Sequence, residues 1–138
     1  MDRLALLTDR LPEMVSDLAA LVAVESPSDD LAACLAVAEA TAELGARLLG
    51  ERPEVLEVEG RPHVRWRFGG AGRVLLVGHI DTVWPLGTLA GWPFRVDGDV
   101  ATGPGCFDMK GGVVQALHAV LVRDPDLREA AQAQPLAT

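Results

Sequence analysis

The chain has 138 residues, of which 49% are hydrophobic, so its length suits one domain with a hydrophobic core rather than two. Its 12 basic and 20 acidic residues give a net charge of −8, which argues against nucleic-acid or anionic-membrane partners. The sequence contains no apolar run near the roughly 18–20 residues of a membrane span, and its first residues predict no secretory signal. Because two cysteines form no disulfide framework, a cytoplasmic location is expected.

Two amphipathic helices are predicted in the first 50 residues. Apolar residues recur at helical spacing from Leu11 to Val22. Pro27 then interrupts the period, because the residue before a proline disfavours the helical conformation. Asp29 or Asp30 can cap a second helix, which is predicted to run to about Leu49.

The apolar period changes to two after residue 54, which indicates β-strands. Residues 55–58 and 63–68 predict two short strands, and alternation in the second favours an antiparallel pair with one solvent-exposed face. Residues 74–77 are apolar on both faces, as in a central strand that helices cover.

The later elements complete the expected fold. Residues 94–100 are typical of a hairpin with Asp97 and Gly98 at the turn. A last helix is predicted from Lys110 until Pro125. We therefore expect an α/β fold with a mixed, mostly parallel central sheet and flanking helices.

A His-x-Asp pair follows the strand predicted at 74–77. His79 and Asp81 are two residues apart, so their side chains lie on the same side while the chain stays extended. Imidazole is a good zinc ligand, and a carboxylate on its other nitrogen fixes the orientation of the ring. The open alternative is a His and an Asp that only cap the end of a strand.

A glycine-rich turn places a second aspartate just before the last helix. Asp108 lies among four glycines between residues 103 and 112, and a carboxylate there can ligate one metal ion or bridge two. The competing interpretation is a phosphate-binding loop. It fits poorly, because Lys110 is followed by Gly111 and not by the Ser or Thr that binds magnesium.

Two motifs closely resemble the M20 metallopeptidase family, at 78–83 (GHIDTV) and at 103–112 (GPGCFDMKGG). The interval between these motifs also suits the family. The segments at 84–89 (WPLGTL) and 92–94 (WPF) resemble its glutamate carboxypeptidase branch, and the loop at 25–28 (ESPS) resembles the one after the family's first helix. The resemblance extends over residues 1–127, as the N-terminal part of a zinc-exopeptidase-like catalytic domain. Residues 128–138 are expected to form a divergent or frayed tail.

The resemblance implies a role for each motif residue. His79 would ligate one zinc ion, Asp108 would bridge two, and Asp81 would hold the His79 ring as part of the catalytic machinery. It also implies a cis peptide between Asp108 and Met109. Two Zn²⁺ ions are implied for a complete site, with Co²⁺ or Mn²⁺ as substitutes. The family reaction is hydrolysis of an amide bond next to a carboxylate in a small N-acyl amino acid or C-terminal glutamate substrate, and a homodimer is one possible assembly of the full-length protein.

The sequence departs from the family after Asp108. Members carry a Glu-Glu pair, later ligands and a lid or dimerisation domain, whereas Glu129 is the only glutamate in residues 109–138. With His79 and Asp108 as the only plausible direct ligands, we expect a truncated catalytic domain with weak or absent metal binding and no activity alone. The alternative is a non-catalytic remnant or interaction module that keeps the fold without the chemistry.

Simpler roles are expected for other polar residues. Glu25 and its acidic neighbours are interpreted as capping or solvated carboxylates, Cys106 as a small buried thiol and Lys110 as a structural lysine. His118 is interpreted as a surface or packing histidine. The tryptophans at 84 and 92 could line a cleft, although such side chains more often cover a core.

Overall fold

Three helices form the N-terminal part of the chain in the computed structural model, which describes residues 2–69 and 74–123. They are α1 (Arg3–Asp9), α2 (Leu11–Val22) and α3 (Leu31–Leu49). The Asp30 carboxylate caps α3 by accepting a hydrogen bond of 2.9 Å from the backbone N–H of Ala33, which selects between the two predicted caps. Helix α1 was not predicted, because its seven residues are too few for a clear helical period.

Two antiparallel hairpins follow the helices. They pair β1 (Glu54–Val58) with β2 (Arg61–Arg65), and β3 (Arg95–Asp97) with β4 (Val100–Thr102). The predicted pairings are confirmed, but β2 begins two residues earlier and ends three residues earlier than expected. Asp97 pairs with Val100, so Gly98 and Asp99 form the turn, and Gly98 takes the positive φ of 57° that it requires.

The last third of the described chain carries a short helix, a wide turn and a long helix. They are α4 (Thr88–Gly91), the turn Cys106–Lys110 and α5 (Gly111–Arg123). The helix predicted after Lys110 is thus confirmed. The expected stop at Pro125 and the expected tail at 128–138 lie outside the described residues.

The parallel central sheet is the part of the prediction that the structure does not show. Among the described residues, both sheets are antiparallel and two-stranded, and the fold is a mixture of α and β elements. Val74, Leu75, Leu76 and Val77 were predicted as a buried strand, yet they form no strand and their exposed fractions lie between 64% and 84%. The prediction of a buried strand at 74–77 was wrong, because an apolar segment becomes a buried strand only where neighbouring elements pair with it and cover it.

The core lies where α3 crosses α2 and α5. One cluster of buried side chains joins the three helices: Leu21, Leu44, Leu48, Leu49, Val114, Leu117 and Leu121. Full burial of each such side chain contributes about 1.5–3 kcal/mol. The turn before α5 is therefore attached to a helix that contributes three side chains to this core. None of the helices in the described ranges is both long and apolar enough to cross a bilayer.

A polar network is buried beside this core. The Asp17 carboxylate of α2 lies 2.8 Å from Nε2 of His118 on α5 and forms an ion pair with Arg47 of α3. Arg47 also pairs with Glu13 at 3.0 Å, and the Arg10 Nε–H donates to Nδ1 of His118 at 3.1 Å. His118 is fully buried, so of its two expected roles the packing role is confirmed. The network fixes three helices relative to one another.

Replacing Gly45 by alanine is expected to destabilise the protein by about 1–3 kcal/mol, because the Trp66 indole lies directly where the new methyl group would go. In an open helix the same change would stabilise by roughly 0.5–1 kcal/mol. Urea unfolding of G45A checks the sign. The matched control is G45A in a Trp66→Ala background, where the space is free and alanine should stabilise; equal effects in both backgrounds would contradict the packing argument.

Candidate metal centre

A backbone clip joins the loop after α2 to the segment that carries the His-x-Asp pair. The Thr82 N–H donates to the Ser26 carbonyl at 2.7 Å, and the Ser28 N–H donates to the Thr82 carbonyl at 3.0 Å. These bonds form a single parallel bridge between Pro27 and Thr82. The chain from 79 to 82 is thereby held against the end of α2 even though it belongs to no sheet.

The structure brings His79, Asp81 and Asp108 together. The Nδ1 atom of His79 lies 3.0 Å from the backbone oxygen of Asp81 and 3.3 Å from its carboxylate. The Nε2 atom lies 2.8 Å from Oδ1 of Asp108. One edge of the imidazole therefore faces Asp81, and the other faces the carboxylate from the second motif.

The glycine-rich turn brings Asp108 to this position by a close approach of two segments. Gly105 has a φ of 74°, and a Cβ atom on it would lie only 2.5 Å from Cγ2 of Thr82. Glycine is thus required here both for its backbone conformation and for its lack of a side chain. The peptide between Asp108 and Met109 is cis, as the family resemblance implied.

Hydrogen bonds and charge interactions within the site raise the pKa of His79 and lower the pKa of Asp81. Burial opposes protonation of the His79 ring, but the hydrogen bond with Asp108 and the contact with Asp81 raise its pKa above the usual value. Burial likewise opposes ionisation of Asp81, but hydrogen bonds, the first of them from Ser28, lower its pKa. The side chain of Asp108 remains 73% exposed, so this carboxylate faces solvent at the mouth of the site.

Lys110 attaches the turn to the C-terminal end of α2. Its side chain is 1% exposed, and its ammonium group donates to the carbonyl oxygens of Leu21 at 3.0 Å and Val24 at 2.7 Å. Burial lowers the pKa of Lys110 to about 8. These carbonyls belong to the C-terminal end of α2, where helix ends attract cations. The expected structural role of the lysine is confirmed.

Glu25 caps helix α4 across the chain. Its two carboxylate oxygens accept hydrogen bonds of 2.9 Å from the backbone N–H groups of Gly87 and Leu89. These two bonds, with that from Leu89 the larger influence, lower the pKa of Glu25. The sequence had indicated capping for this carboxylate, but the capped helix lies more than 60 residues away in the chain.

Replacing Glu25 by glutamine is expected to remove a pH-dependent part of the stability. Since the pKa is lower in the folded than in the unfolded protein, this contribution is present above the ordinary value of 4.5 and is lost as the pH falls below it. E25Q should therefore be less stable at pH 7 and should lose less stability than the parent on acidification. Urea unfolding at pH 7 and below pH 4 measures both; Glu57→Gln on the exposed face of β1 is the control, and parallel pH curves for E25Q and the parent would refute the cap.

The remaining candidates occupy simpler positions. Cys106 is buried and its thiol pKa is raised by burial, as expected for a packed thiol. His63 is exposed on β2. Trp84 and Trp92 pack edge to face with ring centroids 5.0 Å apart and remain more than a third exposed. The two rings form a partly exposed aromatic surface near Thr82, which belongs to the backbone clip.

A second cluster with metal-ligand atoms was not predicted. Glu13, Asp17 and His118 place one such atom each within 4.8 Å of one another. Both nitrogens of the His118 ring are already engaged, one by Asp17 and one by the Arg10 guanidinium, and Arg47 pairs with both carboxylates. Two arginines supply the positive charge that a metal ion would bring, so the cluster serves packing. The only sign of this cluster in the sequence is the spacing of four residues between Glu13 and Asp17, which places both carboxylates on one face of α2.

Comparison with known proteins identifies the segment that carries these residues. Residues 75–131 match the family described as Peptidase family M20/M25/M40. The chain is 35% identical over 127 residues to carboxypeptidase G2 of Pseudomonas sp. (strain RS-16). This match covers 88% of the chain but 31% of that protein, so the chain spans less than a third of the length of this relative. Both motifs lie within residues 75–131, and the family match and this identity together support a chain of the peptidase family M20/M25/M40 type that is similar to its glutamate carboxypeptidases.

Proposed function

We propose that this chain provides part of the metal centre of a zinc-dependent hydrolase that cleaves an amide bond next to a carboxylate. The observation that carries the proposal is the convergence of His79 Nε2 and Asp108 Oδ1, 2.8 Å apart. One imidazole nitrogen and one carboxylate oxygen are a donor pair that suits zinc. The carboxypeptidase relative supports a peptide-type substrate, and the family resemblance of the motifs implies a C-terminal glutamate or a small N-acyl amino acid.

Each of the three residues has a distinct proposed role. His79 would bind one zinc ion through Nε2, because this nitrogen faces away from Asp81. Asp108 would bind the same ion and bridge to a second through its exposed carboxylate. Asp81 would keep the other ring nitrogen engaged and so fix the imidazole orientation. Zinc, when bound, supplies a Lewis acid that polarises a carbonyl and makes a water more acidic.

Hydrolysis also needs a proton acceptor for the attacking water. Within the described residues, the hydrogen-bonding partners of His79 are Asp81 and Asp108, and both are assigned other roles. We therefore propose that the chain alone binds zinc weakly and does not turn over substrate, and that a complete enzyme adds the base and the further ligands.

Zinc titration followed by NMR tests this proposal. Weak zinc binding should shift the resonances of His79 and Asp108; H79A should abolish the shift at Asp108, and D108A should abolish the shift at His79. His63→Ala, which removes an exposed histidine on β2, is the matched control and should bind zinc as the parent does. A parent protein without a zinc response, or H79A and D108A variants that respond normally, would contradict the metal assignment. Hydrolysis of an N-acyl glutamate by the isolated chain would contradict the proposed inactivity.

A further inference from the structure

His118 of α5 lies in the buried polar network as a neutral ring with a defined tautomer. The Arg10 Nε–H donates to Nδ1 at 3.1 Å, and a guanidinium has no acceptor, so Nδ1 carries no proton. The proton of the neutral ring is therefore on Nε2, which donates to the Asp17 carboxylate at 2.8 Å. The contact between Arg10 and His118 thus requires an unprotonated Nδ1.

The charged groups around this ring balance one another. They come from the helices that pack on α5: Arg10 at the junction of α1 and α2, Glu13 and Asp17 of α2, and Arg47 of α3. Lys110 of the turn before α5 is directed instead to the carbonyls at the end of α2. Two guanidinium groups match two carboxylates, so the cluster with a neutral ring carries no net charge. A proton on Nδ1 adds one uncompensated positive charge in a buried environment, which is costly.

Arg10 is the member of the network that can leave. A protonated Nδ1 is a donor, so its contact with the guanidinium changes from a hydrogen bond into a repulsion between two cationic donors. The Arg10 side chain is 25% exposed and pairs with Glu13 at 2.6 Å, so it can turn toward water and keep that partner. Asp17 is held in place, because a positive ring strengthens its bond with Nε2.

Helix α1 is packed loosely, so its attachment depends on this contact. None of the residues from Arg3 to Asp9 is buried. An open groove of about 420 Å³ lies between α1, α2 and α5, and its lining residues are Leu7, Thr8, Leu11, Met14, Gln115 and Ala119. Arg10 directly follows α1, and its bond to His118 ties this end of the helix to α5.

We propose that Arg10 and His118 form a proton-operated latch, in which protonation of His118 releases Arg10 and α1 separates from α5. Histidine is the side chain that ordinarily changes charge between pH 5 and 8, so mild acid is the signal. The released state binds one more proton than the latched state, and its population therefore rises as the pH falls. Release exposes the apolar lining of the groove. None of the proposed metal ligands takes part.

Backbone ¹⁵N relaxation of the whole chain at pH 7.5 and pH 5.5 tests the latch. In the parent, order parameters of residues 4–9 should fall from about 0.85 to below about 0.6 on acidification, while those of α3 stay high. Arg10→Ala removes the attachment, so α1 should be mobile at both pH values. Arg3→Ala removes an exposed arginine of α1 and should behave as the parent does. Equal order of α1 in the parent at both pH values, or an R10A variant with an ordered α1, would overturn the proposal.

A variant without the titrating ring separates His118 from the other histidines. His118→Gln introduces an amide that can donate to Asp17 and accept from Arg10 at both pH values, so H118Q should keep α1 ordered at pH 5.5. Ordinary carboxylates stay ionised in this range. A folded H118Q variant that loses α1 order as the parent does would assign the effect to another histidine and refute the latch.

Urea unfolding at both pH values shows which variants are folded. If H118Q is unfolded, long-range ¹⁵N–¹H spectra of the His118 ring in the parent decide the question. The ring should carry its proton on Nε2 at pH 7.5, and the loss of order in α1 should follow the protonation of Nδ1 with the same midpoint. Different midpoints for the two changes would refute the latch.

Discussion

Asp17→Ala should lower the free energy of unfolding by about 3 kcal/mol, the largest single effect that the structure predicts. The Asp17 side chain is 8% exposed, and its carboxylate lies between the Arg47 guanidinium and the fully buried His118 ring. Its removal leaves the Nε2 side of the ring without its acceptor in a dry environment. The value lies near the lower end of the range for broken buried pairs, because Arg47 is 43% exposed and keeps its contact with Glu13.

Urea unfolding of D17A measures this effect, and two further variants test its cause. Asp9→Ala removes an exposed aspartate from the end of α1 and should change stability little. The double variant D17L/H118L removes both buried partners, so it should recover much of the loss. A loss below about 1 kcal/mol in D17A, or a double variant much less stable than D17A, would contradict the buried network as described.

Lys110→Met has the second largest expected effect, a destabilisation of about 2 kcal/mol. The substitution keeps much of the aliphatic volume but removes the ammonium group that donates to the carbonyl oxygens of Leu21 and Val24. Each buried acceptor left without a donor costs about 1–3 kcal/mol, and the gain from no longer burying a charge offsets part of that sum.

Thermal or urea unfolding of K110M checks this prediction. The control is Arg123→Met, which removes an exposed cation at the end of α5 and should be nearly neutral. Because Lys110 joins the end of α2 to the turn of Asp108, K110M should also weaken the zinc response of the NMR titration. A K110M variant as stable as R123M would show that the buried ammonium is not needed to hold the turn.

Local patterns in the sequence were sufficient for the elements that depend on near neighbours. Helices α2, α3 and α5 follow from apolar residues at helical spacing, and the cap at Asp30 follows from its position before α3. The two hairpins follow from period-two alternation and a glycine turn, although the bounds of β2 and the turn residues shifted. In each case the interactions that form the element are only a few residues apart in the chain.

The sequence predicted the motif residues of the candidate metal centre, but it did not predict the residues that hold these segments in place. The motif residues His79, Asp81 and Asp108 were chosen from residue type, spacing and family resemblance, and the structure brings them together. Their metal roles stay predictions. The contributions of Ser28 and Lys110 depend on contacts with residues more than 50 positions away, which no local pattern reveals.

The sequence by itself determined which residues match the family's motifs and which segments form amphipathic helices, because motif identity and helical period are properties of neighbouring residues. Only the tertiary structure decided the burial of His118 beside Asp17, the capping of α4 by Glu25 and the exposure of residues 74–77. Burial and hydrogen bonding depend on which distant elements cover a segment. An apolar run such as 74–77 therefore indicates which side chains favour burial, but it does not indicate which other elements of the fold cover them.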